Sequence, residues 1–392
     1  MKKKFFAVVM TAILLVQTGC ANASGLDARE QNEISVDEQI SAALTYENRM
    51  ELSYATEYAV DYYTDGYALI TISDGSRFLI VPQDKAIPSD LDDDIKALQQ
   101  PIHQIYLVAS AAMDMFRSID ALDTIRFTGT NADGWYLPQI PELMEQGEIL
   151  YAGKYNAPDY ELILSEGCDF VIENMMISHM PEVKEKLESF DIPVMIDMAS
   201  YEDHPLGRCE WVKLYGVLTG REEEATAAFD EQAAELERVL SEKEQNSNQE
   251  PTVAFFFLTS NGAVNVRKTN DYVPKMIELA GGMYIFDELG DAQSRSSSAT
   301  MQMEEFYAAA KDADCLIYNS TIDGQLTSID ELVAKNQLLA DFKAVQNGNV
   351  WCTTQNMYQE SMSIGSMIAD MHTVFMTDVS QKADTKYLFK LD

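Results

Sequence analysis

Short apolar runs alternate with segments of helical length through the first half of the chain. The runs lack the polar alternation of half-exposed strands, and they lie at residues 105–108, 124–127, 169–172 and 192–196. Segments of helical length separate them, including residues 110–119 and 181–190. Strands that are apolar on both faces and alternate with helices form parallel sheets covered by helices on both sides. Residues 51–220 are therefore predicted to form an α/β lobe.

One long segment interrupts this alternation. Residues 221–246 contain no helix breaker, and their apolar positions recur every three or four residues as one stripe, at Ala225, Phe229, Ala233, Leu236 and Leu240. Acidic residues open the segment, where the partial positive charge of a helix amino terminus favours them. The pattern predicts a single long linking helix.

Beyond Pro251 the alternation of strands and helices resumes. Three apolar runs are predicted strands, at residues 253–258, 316–318 and 350–353. Three longer segments are predicted helices, at residues 273–280, 329–339 and 364–376. Residues 250–392 should therefore form a second lobe. The predicted fold class is α/β, with two Rossmann-like lobes that have central, mostly parallel sheets and are joined by one long α-helix.

A hairpin is predicted near the start of the first lobe. The apolar runs 67–72 and 77–81 flank the sequence Ser-Asp-Gly-Ser. Glycine adopts positive φ without steric cost, so Asp-Gly pairs suit the tight turn between antiparallel strands.

The first residues have the features of an export signal. Three lysines precede the apolar run 5–16, which is too short to span a membrane as a helix, and Gln-Thr-Gly-Cys20 follows. A cysteine after small residues at this place resembles a lipobox, so residues 1–19 are predicted to be removed and Cys20 to carry the lipid. Cleavage of an ordinary secretory signal after Ala21 or Ala23 is the alternative. The polar residues 20–50 are predicted to tether the protein to the outer face of the cytoplasmic membrane.

The charge balance narrows the set of partners. The 392-residue chain has a formal charge of −36, and removing residues 1–19 takes away three lysines and no acids. A surface this acidic repels nucleic acid and anionic lipid. It suits a basic protein surface or a neutral or cationic ligand, so no nucleic-acid partner is expected.

A short pattern occurs once in each predicted lobe. In the first lobe, Glu161 precedes Leu-Ile-Leu-Ser and then the strand that follows Cys168. In the second lobe, Glu304 precedes Glu-Phe-Tyr-Ala and then the strand around Cys315. The spacing between acid and strand differs slightly between the lobes, so Glu305 remains an alternative to Glu304. Taken singly, each glutamate is explained by a favourable interaction with the helix dipole.

These features together resemble the substrate-binding proteins of ABC importers for ferric siderophores, haem and cobalamin. The resemblance covers roughly residues 95–378 and rests on four stretches in the order and spacing of that family, at 160–172, 192–194, 279–286 and 312–318. In the family, two α/β lobes are held by one long helix, the class III periplasmic binding protein architecture.

The resemblance implies a function and a set of partners. It implies a lipid-anchored, monomeric binding protein that captures an iron-siderophore, haem or cobalamin-like ligand between its lobes. The partners would be an ABC permease and its ATPase, with no cofactor of the protein's own and no enzymatic activity. One glutamate on each lobe, Glu161 and either Glu304 or Glu305, would dock on arginines of the permease.

Loops after the predicted strands should hold the ligand, because ligands bind beyond the carboxyl ends of parallel strands. Aromatic side chains cover bulky ligands, and arginine pairs with carboxylate or catecholate oxygens. The predicted ligand-binding residues are Trp135, Tyr136, Met176, His204, Arg208, Arg267, Tyr272 and Tyr358. Local packing is the alternative role for each tyrosine and methionine, and pairing with Glu202 or Glu210 is the alternative for Arg208.

No catalytic or metal-binding motif indicates a different function. The sequence has no nucleophile elbow, phosphate loop or dinucleotide fingerprint, and no His-x-x-x-His or Cys-x-x-Cys pair. Glu202, Asp203, His204, Cys209 and Glu210 do form a dense group of ligand types, but no resident metal is expected there. An exported α/β hydrolase with catalytic residues scattered in sequence is one alternative function. A permease-independent surface protein that binds haem or a siderophore is the other.

Overall fold

The computed structural model describes residues 34–245, 250–290 and 296–392. The predicted signal peptide, Cys20 and the first part of the predicted tether lie outside these residues, so export and lipidation stay predictions. None of the helices within the described ranges is both long enough and apolar enough to cross a membrane.

An N-terminal sheet of five strands precedes the alternating part of the chain. Its strands are β1 (Tyr46–Arg49), β2 (Tyr58–Tyr63), β3 (Tyr67–Ile72), β4 (Arg77–Val81) and β5 (Ile95–Gln99). Neighbours from β1 to β4 are antiparallel, and β5 pairs with β4 in parallel. The β3–β4 pair confirms the predicted hairpin, with Gly75 at positive φ in its turn.

The N-terminal sheet is buried on both faces. Ile70 and its neighbours on one face join the main core, whereas Leu69 and Leu79 on the other face pack against Ile40 and Leu44. Residues 40–49 therefore belong to the fold, and the prediction of a tether that extends to residue 50 is too long. The sequence pattern missed this because the segment contributes only a few apolar side chains, which a sheet formed by later residues then covers.

Two buried carboxylates join the N-terminal sheet to the first lobe. Glu210 accepts hydrogen bonds of 2.7–2.8 Å from the backbone N–H groups of residues 53–55. Glu202 accepts bonds of 2.8 and 3.0 Å from the N–H groups of residues 56 and 57, and one of 2.8 Å from Trp211 Nε1. Several charge-assisted hydrogen bonds offset the cost of burying each charge. Both glutamates of the predicted ligand-type group therefore bind backbone N–H groups.

The first lobe has a five-stranded parallel sheet in the order β12–β11–β6–β7–β8. Its elements are β6 (Ile105–Leu107), α1 (Ala112–Ser118), β7 (Ile125–Thr128), α2 (Gln139–Glu145), β8 (Leu150–Tyr151), β9 (Gly153–Lys154), β10 (Ala157–Pro158), α3 (Tyr160–Ser165), β11 (Phe170–Glu173), α4 (Pro181–Glu188), β12 (Val194–Ile196) and α5 (Pro205–Thr219). The predicted strands and helices of this lobe are confirmed. Helix α5 extends well beyond the loop that the sequence indicated there.

The long linking helix is α6 (Glu222–Gln245), which confirms the prediction to within a residue at its start. The last residue of the predicted range, 246, lies outside the described residues. The apolar stripe is buried at Ala225, Phe229 and Leu236, but its last buried position is Val239, whereas Leu240 is partly exposed. One residue along a helix rotates a side chain by about 100°, which is enough to leave the stripe.

The second lobe has a mixed sheet in the order β16–β14–β13–β17–β18–β19, with β15 also paired to β13. Its elements are β13 (Thr252–Leu258), β14 (Val264–Arg267), α7 (Tyr272–Leu279), β15 (Met283–Tyr284), β16 (Ser298–Met301), α8 (Met303–Ala310), β17 (Cys315–Tyr318), α9 (Ser320–Asp323), α10 (Ile329–Lys335), α11 (Lys343–Gln346), β18 (Val350–Thr353), α12 (Ile364–Met376) and β19 (Leu388–Lys390). The pairs among β15, β13, β17 and β18 are parallel, and β14, β16 and β19 are antiparallel. The predicted fold class is therefore confirmed.

Helices α5, α6 and α12 and the segment 361–363 form an inter-lobe seam. Met362 N–H donates to the buried Asp114 carboxylate of α1 at 2.9 Å, and Ser361 Oγ donates to the Ala111 carbonyl at 2.6 Å. Helix α12 approaches α6 so closely at Gly365 that an added Cβ would lie 2.3 Å from the backbone oxygen of Gln232. Backbone contact and buried polar pairs therefore join the two lobes closely along this seam.

We expect Gly365→Ala to loosen this seam. The new methyl group would force α12 away from α6, and such overpacking typically costs about 1–3 kcal/mol of unfolding free energy. Urea and thermal unfolding should show the loss. Ser366→Ala, one residue along the same helix, is the matched control and should leave stability nearly unchanged. Equal stability of Gly365→Ala and the wild type would contradict the close approach.

Candidate ligand-binding site

A cavity of about 340 Å³ lies where the two lobes meet. From the first lobe it is lined mainly by the segments that follow β6, β11 and β12, with Ser110, Asn174, Met175, Met176, Asp197 and Ser200, and by Arg208 in the first turn of α5. From the second lobe it is lined by Tyr272, Met357, Tyr358, Ser361 and Ile364. Three of the five first-lobe strands, β6, β11 and β12, end at this cavity, so it lies at the carboxyl edge of the parallel sheet, where α/β folds bind ligands.

A second depression, of about 420 Å³, lies on the second lobe between α9 and α10. Its Lys335 already pairs with Asp323. It receives side chains from one lobe only, so the cavity between the lobes is the better candidate for a binding site.

Arg208 bridges the two lobes across the cavity. Its Nη2 donates to the Ser200 carbonyl at 2.7 Å, and its guanidinium carbon lies 3.9 Å from the ring centroid of Tyr272 in α7. Its Nε is buried and has no hydrogen-bond partner among the described residues. The alternative of pairing with Glu202 or Glu210 is not observed, since both acids bind backbone N–H groups. Arg208 thus retains a donor for an acceptor atom on a ligand.

Tyr358 is held in the cavity wall by a second arginine. The Arg267 guanidinium donates to Tyr358 Oη and lies 5.1 Å from the ring centroid, and Asn319 Nδ2 donates to the same oxygen at 2.9 Å. Arg267 also lies 3.7 Å from Asp271. The predicted Arg267 therefore stands behind the lining tyrosine, where it orients and polarises the phenol oxygen.

Two buried aspartates balance the two arginines. Asp197 accepts hydrogen bonds from Tyr215 Oη at 2.6 Å and from Ala199 N–H at 2.8 Å. Burial raises the pKa of Asp197, and these two hydrogen bonds and the charge of Arg208 oppose that rise. Asp271 caps α7 through Val273 N–H at 3.0 Å, and burial likewise raises its pKa against the influence of the arginines. The polar side of the cavity is thus a pre-organised set of charges rather than a free positive patch.

Thioethers form the softer part of the lining. Met115, Met175, Met176 and Met357 all line the cavity, and Met176 is about half exposed. Methionine is flexible and polarizable, so it adapts to flat or irregular apolar surfaces. One part of the site can therefore cover an apolar body while Arg208 binds a polar group.

Four predicted residues lie outside the cavity lining: Arg267, which stands behind Tyr358, and the three described next. Trp135 is buried and donates through Nε1 to the Thr130 carbonyl at 3.2 Å, so it packs its own loop. His204 stacks on Tyr54 and accepts from Leu206 N–H through Nδ1 as the cap of α5, and burial lowers its pKa to about 4. Tyr136 is exposed at the rim. The sequence could not give the direction of these side chains, and none of residues 129–138 lines the cavity.

Several lining residues were not predicted from the sequence. They are small or polar and include Ser110, Asn174, Asp197, Ser200 and Ser361. Each of the first four directly follows or lies a few positions after a first-lobe strand, so strand ends alone could have indicated them. Ser361 is different, because only the inter-lobe seam brings it to the cavity.

No three His, Cys, Asp or Glu side chains in residues 34–245, 250–290 and 296–392 lie close enough together to hold a metal ion. The described cysteines are free and buried: Cys168, Cys209, Cys315 and Cys352. Burial raises the pKa of Cys168 and Cys209 to about 12, so both thiols are protonated and unreactive at neutral pH.

The predicted docking glutamates occupy matching places in the two lobes. Glu161 is the second residue of α3, which leads into β11, and Glu304 is the second residue of α8, which leads into β17. Both side chains are exposed. A helix that precedes a strand in such a layer runs opposite to it, so both acids lie at the carboxyl edge of their sheets. Glu305 occupies the third helical position, which makes Glu304 the closer counterpart of Glu161.

Glu173 ends β11 directly before the cavity-lining Asn174. It is fully buried, and neither carboxylate oxygen has a hydrogen-bond partner among the described residues. Burial raises its pKa to about 8, opposed only by the Asn174 N–H. The carboxyl group is therefore neutral at neutral pH.

Comparison with known proteins gives a family match over more than half of the chain. Residues 127–357 match the family described as periplasmic binding protein. An uncharacterized lipoprotein of Methanocaldococcus jannaschii is 25% identical over 99% of this chain and 96% of its own length. A second uncharacterized lipoprotein of that organism is 23% identical over 91% of both chains.

Solved structures share the fold at low sequence identity. A periplasmic heme binding protein from Pseudomonas aeruginosa has a TM-score of 0.58 and 16% identity, over 74% of this chain and 98% of that chain. A periplasmic catecholate-siderophore binding protein from Vibrio cholerae has a TM-score of 0.55 and 15% identity, over 70% of this chain and 94% of that chain. Likeness at this identity establishes the two-lobe fold.

We expect Glu173→Gln to change the pH dependence of stability. The folded-state pKa is raised from 4.5 to about 8, so the folded chain retains a proton that the unfolded chain releases. The contribution of Glu173 to the free energy of unfolding should be fully present below pH 4.5 and be lost as the pH rises to 8. The variant should match the wild type near pH 4.5 and exceed it by on the order of a few kcal/mol at pH 8.

Urea unfolding at both pH values measures this difference. Glu161→Gln, an exposed carboxylate, is the matched control and should follow the wild type throughout. Parallel pH profiles for Glu173→Gln and the wild type would show that Glu173 is charged in the folded protein.

Proposed function

Since the chain belongs to the periplasmic binding protein family, we propose that it is the substrate-binding lipoprotein of an ABC importer. In this proposal the protein captures an iron-siderophore, haem or cobalamin-like ligand between its lobes and delivers it to a permease. It remains on the outer face of the cytoplasmic membrane through a lipid on Cys20. It has no catalytic role and acts as a monomer.

The cavity between the lobes is the observation that carries this proposal. Loops from both lobes contribute to it, and the first-lobe loops all follow parallel strands. The inter-lobe seam limits how far the lobes can separate, which favours a small closure around the ligand. A two-sided site of this kind covers most of a ligand's surface, as ligand pockets usually do.

The lining chemistry supports a ligand with both anionic and apolar parts. Arg208 offers an unused buried donor, and Tyr358 offers an oxygen that Arg267 and Asn319 polarise. Methionine side chains such as Met176 can cover an apolar or conjugated body. Iron-siderophore complexes, haem and corrinoids all combine such parts. The names of the solved heme-binding and siderophore-binding structures support the same ligand class.

The location at the membrane rests on independent support. Two relatives that match over at least nine-tenths of this chain are named lipoproteins. The basic and apolar start of the chain, followed by Gly-Cys20, is consistent with the same anchor.

Docking on the permease is proposed for Glu161 and Glu304. The two acids have the same place in their lobes and lie at the edge that also holds the cavity. Salt bridges at two separated points would fix the orientation of a two-lobed body on a membrane protein. The strong negative charge of the chain would steer it toward a basic permease surface.

Ligand binding should depend on Arg208. We expect Arg208→Ala to weaken binding of haem, ferrichrome or cyanocobalamin, whichever binds the wild type, about ten-fold or more, because a charge-assisted hydrogen bond is lost. Titration followed by visible absorbance measures this and distinguishes the three probes. Arg238→Ala, which removes an exposed arginine on α6, is the matched control. Binding of none of these probes to the wild type would refute the ligand class.

Permease docking should depend on the two matching glutamates. We expect the double variant Glu161→Lys, Glu304→Lys to bind ligand normally but to abolish uptake, because each reversed charge would repel an arginine of the permease. Uptake of labelled ligand in cells that carry the importer is the measurement. Glu161→Lys with Glu305→Lys tests the alternative residue, and Glu223→Lys on α6 controls for charge alone. Normal uptake by the first double variant would refute the docking assignment.

A further inference from the structure

A single glutamine side chain joins the two lobes at the rim of the cavity. Gln359, in the second-lobe loop after β18, accepts a hydrogen bond from Tyr136 N–H through Oε1 at 2.7 Å. Its Nε2 donates to the Gly134 carbonyl at 2.8 Å. The amide therefore pairs with first-lobe backbone in the way that a neighbouring strand would, with one donor and one acceptor.

The turn that carries Gln359 also forms part of the cavity wall. Tyr358 and Ser361, on either side of Gln359, line the cavity. The turn is fixed by hydrogen bonds from the N–H groups of Gln359 and Glu360 to the Asn356 carbonyl, at 2.8 and 2.9 Å. A change at the Gln359 contact is thus transmitted directly to lining residues.

The first-lobe side of the contact is equally well ordered. Residues 132–134 form a short 3₁₀ turn, and Gly134 N–H donates to the Asn131 carbonyl at 2.9 Å. The buried Trp135 closes the loop through Nε1 and the Thr130 carbonyl. The two segments therefore meet mainly through the Gln359 amide, beside a longer 3.4 Å contact from Gln355 Nε2 to Tyr136 Oη.

The Gln359 contact differs from the other inter-lobe contacts in its exposure. Asp114 and its partner Met362 are buried in the seam, and the Arg208–Tyr272 stack is inside the cavity. Gln359 is partly exposed, and its two hydrogen bonds are between neutral groups. Neutral hydrogen bonds near water have modest net strength, so this contact can open while the seam stays closed.

We propose that Gln359 is a specificity-determining latch, which sets the size of the ligand that the cavity accepts and the rate at which that ligand exchanges. This proposal rests on the proposed function. With the latch closed, the cavity is about 340 Å³, near the lower end of the usual range for ligand pockets. In this proposal a bulky chelate enters between residues 134–136 and Gln359, so the amide contact excludes ligands that cannot fit behind it.

The first test requires no ligand. In the wild type, hydrogen–deuterium exchange should be slow at the Tyr136 amide, although the side chain of Tyr136 is exposed. Gln359→Ala should speed this exchange about five-fold or more, because the acceptor is lost. Gln359→Glu keeps length and volume but places a carboxylate oxygen against the Gly134 carbonyl, so it should also weaken the contact. Unchanged exchange at Tyr136 in Gln359→Ala would overturn the proposal.

The second test measures binding rates for two probes of different size, haem and the larger cyanocobalamin. Gln359→Ala should raise both the association and the dissociation rate of the probe that binds the wild type, by about five-fold or more. It should also shift relative affinity toward cyanocobalamin. Gln355→Ala is the matched control, because Gln355 makes only a 3.4 Å contact with Tyr136 Oη. Stopped-flow absorbance gives both rates.

The outcomes separate this proposal from the proposed function. Faster Tyr136 exchange with unchanged rates and unchanged probe preference would show a structural contact only, and would overturn the latch. A lower melting temperature as the sole effect of Gln359→Ala would do the same. If haem, ferrichrome and cyanocobalamin all fail to bind the wild type, the proposed ligand class fails, and the amide exchange at Tyr136 still decides whether the contact exists.

Discussion

The close approach of α12 to α6 is the constraint on which the rest of the structure depends. At Gly365 the two backbones touch without room for a methyl group, and beside it the Asp114 carboxylate holds the Met362 N–H. The seam joins the lobes through buried helix contacts and buried hydrogen bonds. These contacts limit how far the sheets of the two lobes can separate, and so restrict the size of the cavity. Movement is left to the rim, where the contacts are polar and partly exposed.

Two buried carboxylates of this acidic chain have a structural role that does not depend on a ligand. Glu210 and Glu202 together bind five consecutive backbone N–H groups and so attach the N-terminal sheet to α5. The same helix then presents Arg208 to the cavity from its first turn. The acids that resembled a metal-binding group in the sequence thus help to place the residue that is proposed to contact the ligand. Glu173 is the exception, since its buried carboxyl group has no partner among the described residues.

Strands and helices alternate in both lobes, and this alternation explains why some site residues could be predicted. Apolar runs bounded by polar loops are a local signal, so the strands could be predicted. Met176 and Tyr358 follow strands, and Arg208 and Tyr272 lie at the starts of the next helices, so their places near the cavity could be predicted as well. Side-chain direction is not a local property. Trp135 turns inward to pack its own loop, and none of residues 129–138 lines the cavity.

The sequence by itself determined the α/β alternation, the long linking helix and the matching glutamates, because each depends on periodicity or spacing within one segment. Only the tertiary structure decided which loop residues meet. Contacts such as Gln359 with Tyr136 join positions far apart in the chain, and no pattern within either segment encodes the other. Tertiary structure also decided that residues 40–49 belong to the fold, since their apolar side chains gain partners only when the N-terminal sheet covers them.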